Sequence, residues 1–316
     1  MPAPCHIPVL AEAFLALLCH DVDGCYVDAT FGRGGHSRML LDRLSPKGRV
    51  LALDRDPEAV VIGRQLEAED SRFRMIHADF SCLADAMREI GWNDATGIGF
   101  DLGVSSPQLD QATRGFSFVH DGPLDMRMNP HADTPLAKKL AATTTRQLTQ
   151  VLRDFGDERF AGRIAKRIMD ALASNTLHST ADLENICFHA VPPKNRHGHT
   201  HPATRTFQAL RIWVNDEYGQ LAEGIGAAIT MLAAGAHLAV ISFHSGEDRR
   251  VRDMIEAEVR PCTCPPQFPI CICKRKPSLK WLQKKPLRAS DTELQENPRS
   301  RSALLRAAVA VSRSTK

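Results

Sequence analysis

Through the first hundred residues, short apolar runs alternate with amphipathic stretches. Gly24–Val27, Val50–Leu53, Phe73–His77 and Gly97–Phe100 are short, largely apolar and bounded by polar residues, and they read as strands. Between them, Ser37–Leu44, Pro57–Ala68 and Leu83–Ile90 repeat apolar positions at helical spacing, the second with a proline in its first turn. Acids close or follow the strands at Asp28, Asp54, Asp79 and Asp101. Strands alternating with helices build a parallel sheet, and such sheets bind ligands at their carboxyl edge, where these acids fall.

From Thr113 to Thr204 no strong strand pattern occurs. Helical patterns at Ala137–Leu140, Thr145–Phe155, Glu158–Leu172 and Ala181–Ala190 are separated by turn clusters such as Asp121-Gly-Pro and Asn129-Pro-His. A structureless connection of that length does not suit a compact fold, so the segment reads as a helical insertion. The α/β pattern returns with one helix over Phe207–Leu232, ended by Ala233-Ala-Gly235. It continues with a buried strand Ala236–Ile241, a helix Asp248–Val259 and an apolar run Ala303–Val311 able to close the sheet. The expected fold class is therefore α/β, a Rossmann-like doubly wound parallel sheet. Its core comes in two parts, 1–112 and 205–316, with an inserted helical domain at 113–204.

Chemistry enters first at Asp28-Ala-Thr-Phe-Gly32-Arg-Gly34-Gly35-His36. Strand, glycine turn, helix, second strand and terminal Asp54 describe a nucleotide-binding βαβ unit. The glycines let backbone approach a ligand closely, and the Asp54 carboxylate can accept from both hydroxyls of a ribose. The glycine spacing departs from G-x-G-x-x-G, and Asp28, ahead of the turn, suits an ammonium better than a pyrophosphate. S-adenosylmethionine has an ammonium, a ribose and no phosphate, and it is the expected cofactor. A nicotinamide-dependent oxidoreductase is the competing enzyme reading.

After Asp101 the chain runs Leu-Gly-Val-Ser105-Ser106-Pro107-Gln108. Enzymes that methylate exocyclic base amines carry a short acidic or polar-plus-proline motif at this place. Such an amine attacks poorly because its lone pair is delocalised into the ring. Catalysis must accept its hydrogens, drawing the nitrogen toward tetrahedral geometry, and hold it in line with the methyl group.

With 316 residues, 43% hydrophobic and 24% charged, the chain has ample core, and a net charge of +3 says little as an average. Its distribution says more. Between Val259 and Ser290 lie eight basic residues, no acidic ones and Trp281, the mixture that tracks single-stranded nucleic acid, with a solvated basic loop as the alternative. No apolar run approaches the roughly 18 residues of a membrane span, no signal-peptide pattern opens the chain, and most of the nine cysteines are isolated; a cytoplasmic location is expected. Cys262, Cys264, Cys271 and Cys273 are the exception and could ligate a structural zinc. Their one-residue gaps are tighter than zinc sites usually show, so reduced, half-exposed thiols compete with that reading and no metal ligand is assigned.

Several long motifs together resemble one family. They are Asp28–Ser37, Leu53-Asp54-Arg-Asp-Pro57, Asp101–Asp110, Arg114-Gly-Phe-Ser-Phe118, Asp121–Met128, His201–Asn215 and Ser242-Phe-His-Ser245. The chain is similar through nearly its whole length to the bacterial 16S ribosomal RNA (cytosine-N4) methyltransferases, the small-subunit methyltransferase H family. The resemblance implies a Rossmann-like methyltransferase core with an inserted substrate domain, acting on a cytosine of the decoding region of 16S rRNA. It implies cofactor contacts from Gly34, Gly35, His36, Asp54, Phe80, Asp101 and Gln108, with Asp28 added from the residue reading. Asp101, Ser106 and His244 are the candidate catalytic residues. For His244 a satisfied, partly buried histidine is an equal alternative, and for His36 the contact can come from backbone. Asp125 and Arg127 divide between an ion pair and RNA contact, and the His197, His199 and His201 cluster lacks the spacing of metal ligands. Gly246, where leucine is commoner, is expected to loosen the start of the next helix. A homodimer is left open, and a ribosome-assembly factor that keeps its pocket only for stability is the non-catalytic alternative.

Overall fold

The computed structural model describes residues 8–311 except 199, 266, 268, 269 and 271. It divides into two compact units, one running to Gly103 and resuming at Gly219, the other Val104–Tyr218. The expected boundaries at 113 and 204 both fall inside the second unit, because Val104, Leu109 and most of the helix after Ala203 pack into its core.

The first unit opens with α1 (Ala11–Leu18), then β1 (Cys25–Asp28), α2 (Gly35–Arg43), β2 (Arg49–Asp54), α3 (Pro57–Glu69), β3 (Phe73–His77), α4 (Leu83–Glu89) and β4 (Ala95–Asp101). The chain leaves it for α5 (Ser106–Asp110), α6 (Leu136–Ala141), α7 (Thr145–Gly156), α8 (Ala161–Ala173), α9 (Thr180–Ala190) and α10 (Thr204–Asn215). It then continues through α11 (Glu217–Met231), β5 (Leu232–Ser242), α12 (Ser245–Val259), β6 (Leu279–Trp281), α13 (Asp291–Glu296) and β7 (Leu304–Ala310).

Seven strands form one sheet in the order β3-β2-β1-β4-β5-β7-β6. The five strands from β3 to β5 are parallel, and order reverses between β1 and β4, which makes a crevice at their carboxyl ends. The sheet is not parallel throughout. β6 takes the far edge, and β7 returns from it to fill the gap beside β5, so β7 runs antiparallel to both neighbours.

Two further readings are corrected. Phe207–Leu232 is not one helix: Asp216 adopts a left-handed conformation (φ 47°) and divides α10 from α11, a backbone state that Asn and Asp tolerate better than most residues. Ala233-Ala-Gly235 does not end a helix but lies in β5, where the pairing with β4 shifts register between Ala95–Leu232 and Gly97–His237 and Gly235 takes φ 82°.

α1 was not anticipated, although Phe14, Leu15 and Leu18 are its buried face. It lies close on β4 because Gly97 and Gly99 offer no side chains: a Cβ at Gly99 would stand 2.4 Å from the Phe14 ring. Gly99→Ala should therefore cost about 1–3 kcal/mol of stability by overpacking. A lowered denaturation midpoint with an unchanged denaturant slope checks this.

The second unit is held by its own apolar core, including Leu148, Leu152, Ile164, Ile168, Leu183 and Leu210. Thr144–Gln147 and Ser179–Asp182 form capping boxes that start α7 and α9. Buried Asn215 donates to the Met126 and Arg211 carbonyls at 2.8 and 2.9 Å and accepts from Met128 N–H at 2.8 Å, tying the 126–128 turn to α10. In that turn Arg127 clamps Asp125 through two bonds of 2.7 Å, so the pair is an intramolecular ion pair. Burial opposes the Asp125 charge, but the Arg127 guanidinium holds its carboxyl below the usual range.

Candidate active site

The glycine turn between β1 and α2 is shaped from within. Gly32 and Gly34 take φ of 56° and 77°, and a Cβ on Gly34 would stand 2.6 Å from the Phe31 ring, so only glycine fits without strain. Asp28 at the end of β1 is 3% exposed; it accepts from Ser37 Oγ at 2.6 Å and from Thr30 N–H at 3.2 Å. Burial pushes its carboxyl up, against the opposing effects of Ser37 and His36. Each Asp28 oxygen thus accepts one bond from the turn and the start of α2.

Asp54 closes β2, the neighbour of β1 on the side away from β4. Its two oxygens accept from Gly32 N–H at 2.7 Å and Asp56 N–H at 2.8 Å. A carboxylate offers about four acceptor positions, so two remain for a diol. Burial pushes this carboxyl up to about 6, although the two backbone N–H groups favour its charge. Phe80, half-buried after β3, meets the edge of Phe100 at 5.8 Å. Gly224 of α11 lets the chain pass closely, since a Cβ there would lie 2.7 Å from the Phe80 ring. Asp79, the acid after β3, is committed to Arg55 at 2.8 Å.

β4 delivers Asp101 beside β1. Its backbone N–H donates to Thr30 Oγ1 at 2.6 Å, and its Oδ2 stands 3.4 Å from Nε2 of His36, within ion-pairing range but not aligned as a hydrogen bond. His36 is 5% exposed and packs on Phe14 at 4.4 Å. Burial works against its charge, but Asp101 and Asp28 outweigh it and move the imidazole upward overall. Asp101 Oδ1 is buried with no hydrogen-bond partner among the described residues. A buried carboxylate oxygen without a donor is costly, and a bound ligand can supply the donor.

His244 follows β5, which pairs in parallel with β4, so it lies on the same sheet edge as Asp101. It caps α12 through Nδ1 and faces Glu247 Oε1 at 3.0 Å through Nε2, while Glu247 Oε2 accepts from Phe243 N–H at 2.9 Å. The start of α12 is therefore doubly fastened, and Gly246 does not loosen it. Ser106 and Gln108 belong to the second unit. Ser106 is the first residue of α5, and buried Gln108 accepts from Ser105 N–H at 2.9 Å in a capping box.

The sheet edge brings together Asp28, Gly34, Gly35, His36, Asp54, Phe80, Asp101 and His244 within the first unit. Sequence reading missed Thr30, Ser37 and Glu247, the groups that position these residues. Thr30 and Ser37 lie inside the motif that was singled out, and Glu247 three residues after a helix cap is a recognisable capping signal. The histidine cluster does not gather a metal site among the described residues: His201 pairs with Glu184 at 3.2 Å and stacks on Phe118, while His199 lies outside them. Cys262, Cys264 and Cys273 do converge, and Cys271 lies outside the described residues.

A Rossmann-like sheet with a glycine turn and two strand-end acids at its switch point defines an α/β enzyme built for a ribose-bearing ligand. Residues 3–311 match the MraW methylase family. The chain is 46% identical over 305 residues to ribosomal RNA small subunit methyltransferase H of Heliobacterium modesticaldum, covering 96% of this chain and 97% of that protein. It is 50% identical over 297 residues to the protein of that name from Methylococcus capsulatus, covering 93% and 97%. Among solved structures, an rRNA methylase from Streptococcus thermophilus aligns over 96% of this chain and 94% of that one at 10% identity, with a TM-score of 0.40. This chain belongs to the MraW methylase family and is a methyltransferase.

Proposed function

We propose that this protein transfers a methyl group from S-adenosylmethionine to the exocyclic N4 of a cytosine in the decoding region of 16S ribosomal RNA. The observation that carries the reading is the buried Asp101 Oδ1, which has no protein donor and lies beside His36 on the edge that also holds Asp54. The residues fit the cofactor: Asp54 keeps two acceptor positions for ribose hydroxyls, Phe80 offers a half-buried ring, and the turn is open at Gly32, where a Cβ would meet nothing within 4 Å. When bound, S-adenosylmethionine supplies an electrophilic methyl group on a sulfonium.

The chain's own groups do the rest. Asp101 Oδ1 accepts a hydrogen from the amine, and the electron density this returns to nitrogen makes it nucleophilic. His36, 3.4 Å from Asp101 Oδ2, keeps that carboxylate oriented. The proton lost by the methylated amine passes to Asp101 and from there to solvent. His244, fixed by Glu247, serves to position the edge beside the base. Ser106 and Gln108 stay candidates on the family resemblance, on a short helix of the second unit whose first turn is capped.

An RNA substrate is supported by the relatives' names and by charge. The segment Lys274-Arg275-Lys276 is exposed, and in the second unit Arg196 lies 5.1 Å over the Phe188 ring, near His197. Cations interleaved with aromatics suit unstacked bases. The test is methylation of small subunits and of assembly intermediates from a strain lacking the gene, followed by nucleoside mass spectrometry. Gain of N4-methylcytidine is expected; a methyl group on another atom would refute the amine mechanism, and no transfer to any of these particles would favour the assembly-factor reading.

A further inference from the structure

Residues 260–278, which join α12 to β6, contain no helix or strand among the described residues. Connections beyond about 12–15 residues without internal structure are uncommon in compact domains and call for something that holds them. The stem is closed: Ser278 N–H donates to the Glu258 carbonyl at 3.1 Å, Ser278 Oγ bonds the Glu258 carboxylate, and Trp281 Nε1 donates to Glu256 at 2.7 Å. Among the described residues the apolar side chains at the tip are not packed away: Ile270 and Ile272 are 74% and 66% exposed.

At that tip Sγ atoms of Cys262, Cys264 and Cys273 lie within 4.8 Å of one another, with Cys262 and Cys273 3.8 Å apart. Sulfurs bound at about 2.3 Å around a tetrahedral ion are separated by about 3.8 Å, whereas a disulfide needs about 2.05 Å. The backbone N–H of Ile272 points at Cys264 Sγ at 3.4 Å, the kind of contact that supports a metal-bound thiolate by delocalising its charge. Lys274, Arg275 and Lys276 directly follow Cys273 and offset the negative charge that gathered thiolates bring. One-residue gaps serve this arrangement, because residues two apart in extended chain project to the same side.

We propose that Cys262, Cys264 and Cys273 bind a structural zinc ion that fixes this loop. Binding releases the thiol protons to solvent and involves no change of oxidation state. The ion takes no part in methyl transfer; it fixes the arrangement in which the basic segment is presented.

The experiment begins with protein purified in zinc-containing medium without chelator. About one equivalent of zinc per chain is expected by elemental analysis, falling to background in Cys262→Ser and Cys273→Ser but not in Cys82→Ser, a cysteine exposed elsewhere. Replacing zinc with cobalt should give the visible absorption of tetrahedral thiolate coordination. On the wild-type protein, a chelator should accelerate tryptic cleavage at Lys274–Lys276, and added zinc should restore protection, a readout that does not depend on the variants folding. Metal-free protein in which Cys262, Cys264 and Cys273 all react and no zinc is taken up would overturn the proposal. So would an intact mass lower by two hydrogens, which marks a disulfide.

Discussion

Asp54→Ala is expected to weaken S-adenosylmethionine binding by about 10²–10⁴-fold. Hydrogen bonds to a charged acceptor contribute about 1.5–3 kcal/mol each, and a ribose offers two. The change also strips the partners from Gly32 N–H and Asp56 N–H, so the glycine turn loses the bond that fixes its first residue. Calorimetric titration checks this; undiminished affinity would remove Asp54 from the site. Acidity gives a second reading of the same residue. Its carboxyl is pushed up to about 6 by burial, so cofactor affinity should fall as pH drops through about 6, while Asp54→Asn should be weak and flat across that window. Fold stability responds with the opposite sign. A carboxyl raised in the folded state adds stability that is complete below its ordinary value of 3.8 and is lost as pH rises through about 6. The free protein thus gains from protonation at Asp54 what the complex loses.

Asp101→Asn should lower kcat by about 10²–10³-fold, the usual loss when one group aimed at developing charge is removed. Its effect on S-adenosylmethionine affinity should be much smaller, because Oδ1 is assigned to the amine and not to the ribose. Single-turnover rates beside calorimetric Kd values separate the two; loss of affinity equal to the loss of rate would make Asp101 a cofactor ligand alone. His36→Asn should cost less, about tenfold in kcat, since the Asp101 carboxylate would lose the imidazole that stands 3.4 Å away and holds it in place. An unchanged kcat would reduce His36 to packing against Phe14.

Much of the sheet was legible because buried parallel strands are continuous apolar runs. β1 to β4 fall within two residues of their expected places, and β3 coincides with its prediction. The direction of β7 was not legible: an apolar run encodes burial on both faces but not polarity, which here follows from β6. That strand was missed because it is three residues long, with Lys280 at its centre, in a segment read as a basic loop. The break at Asp216 was visible as Asn215-Asp216 inside a helical pattern, but helical periodicity on both sides masked it. At the site, acids at strand ends stood out from one sequence. Their partners did not, because Thr30 reaches Asp101 across 71 positions only once β1 and β4 are neighbours. The commitment of Asp28 to Ser37 was equally hidden, since a helical serine after a glycine turn carries no mark of the carboxylate it faces.

The insertion of Val104–Tyr218 between β4 and β5 has a consequence for biosynthesis. As the chain emerges from the ribosome, β1 to β4 can assemble, yet β4 remains a bare edge until β5 has been made. The helical unit, with a core drawn from its own residues, can fold during that wait and bring the two halves of the sheet within reach. A nascent chain that has emerged through Tyr218 would therefore carry a finished helical unit and an unpaired apolar strand ending in Asp101, an open edge exposed to unwanted pairing until β5 arrives.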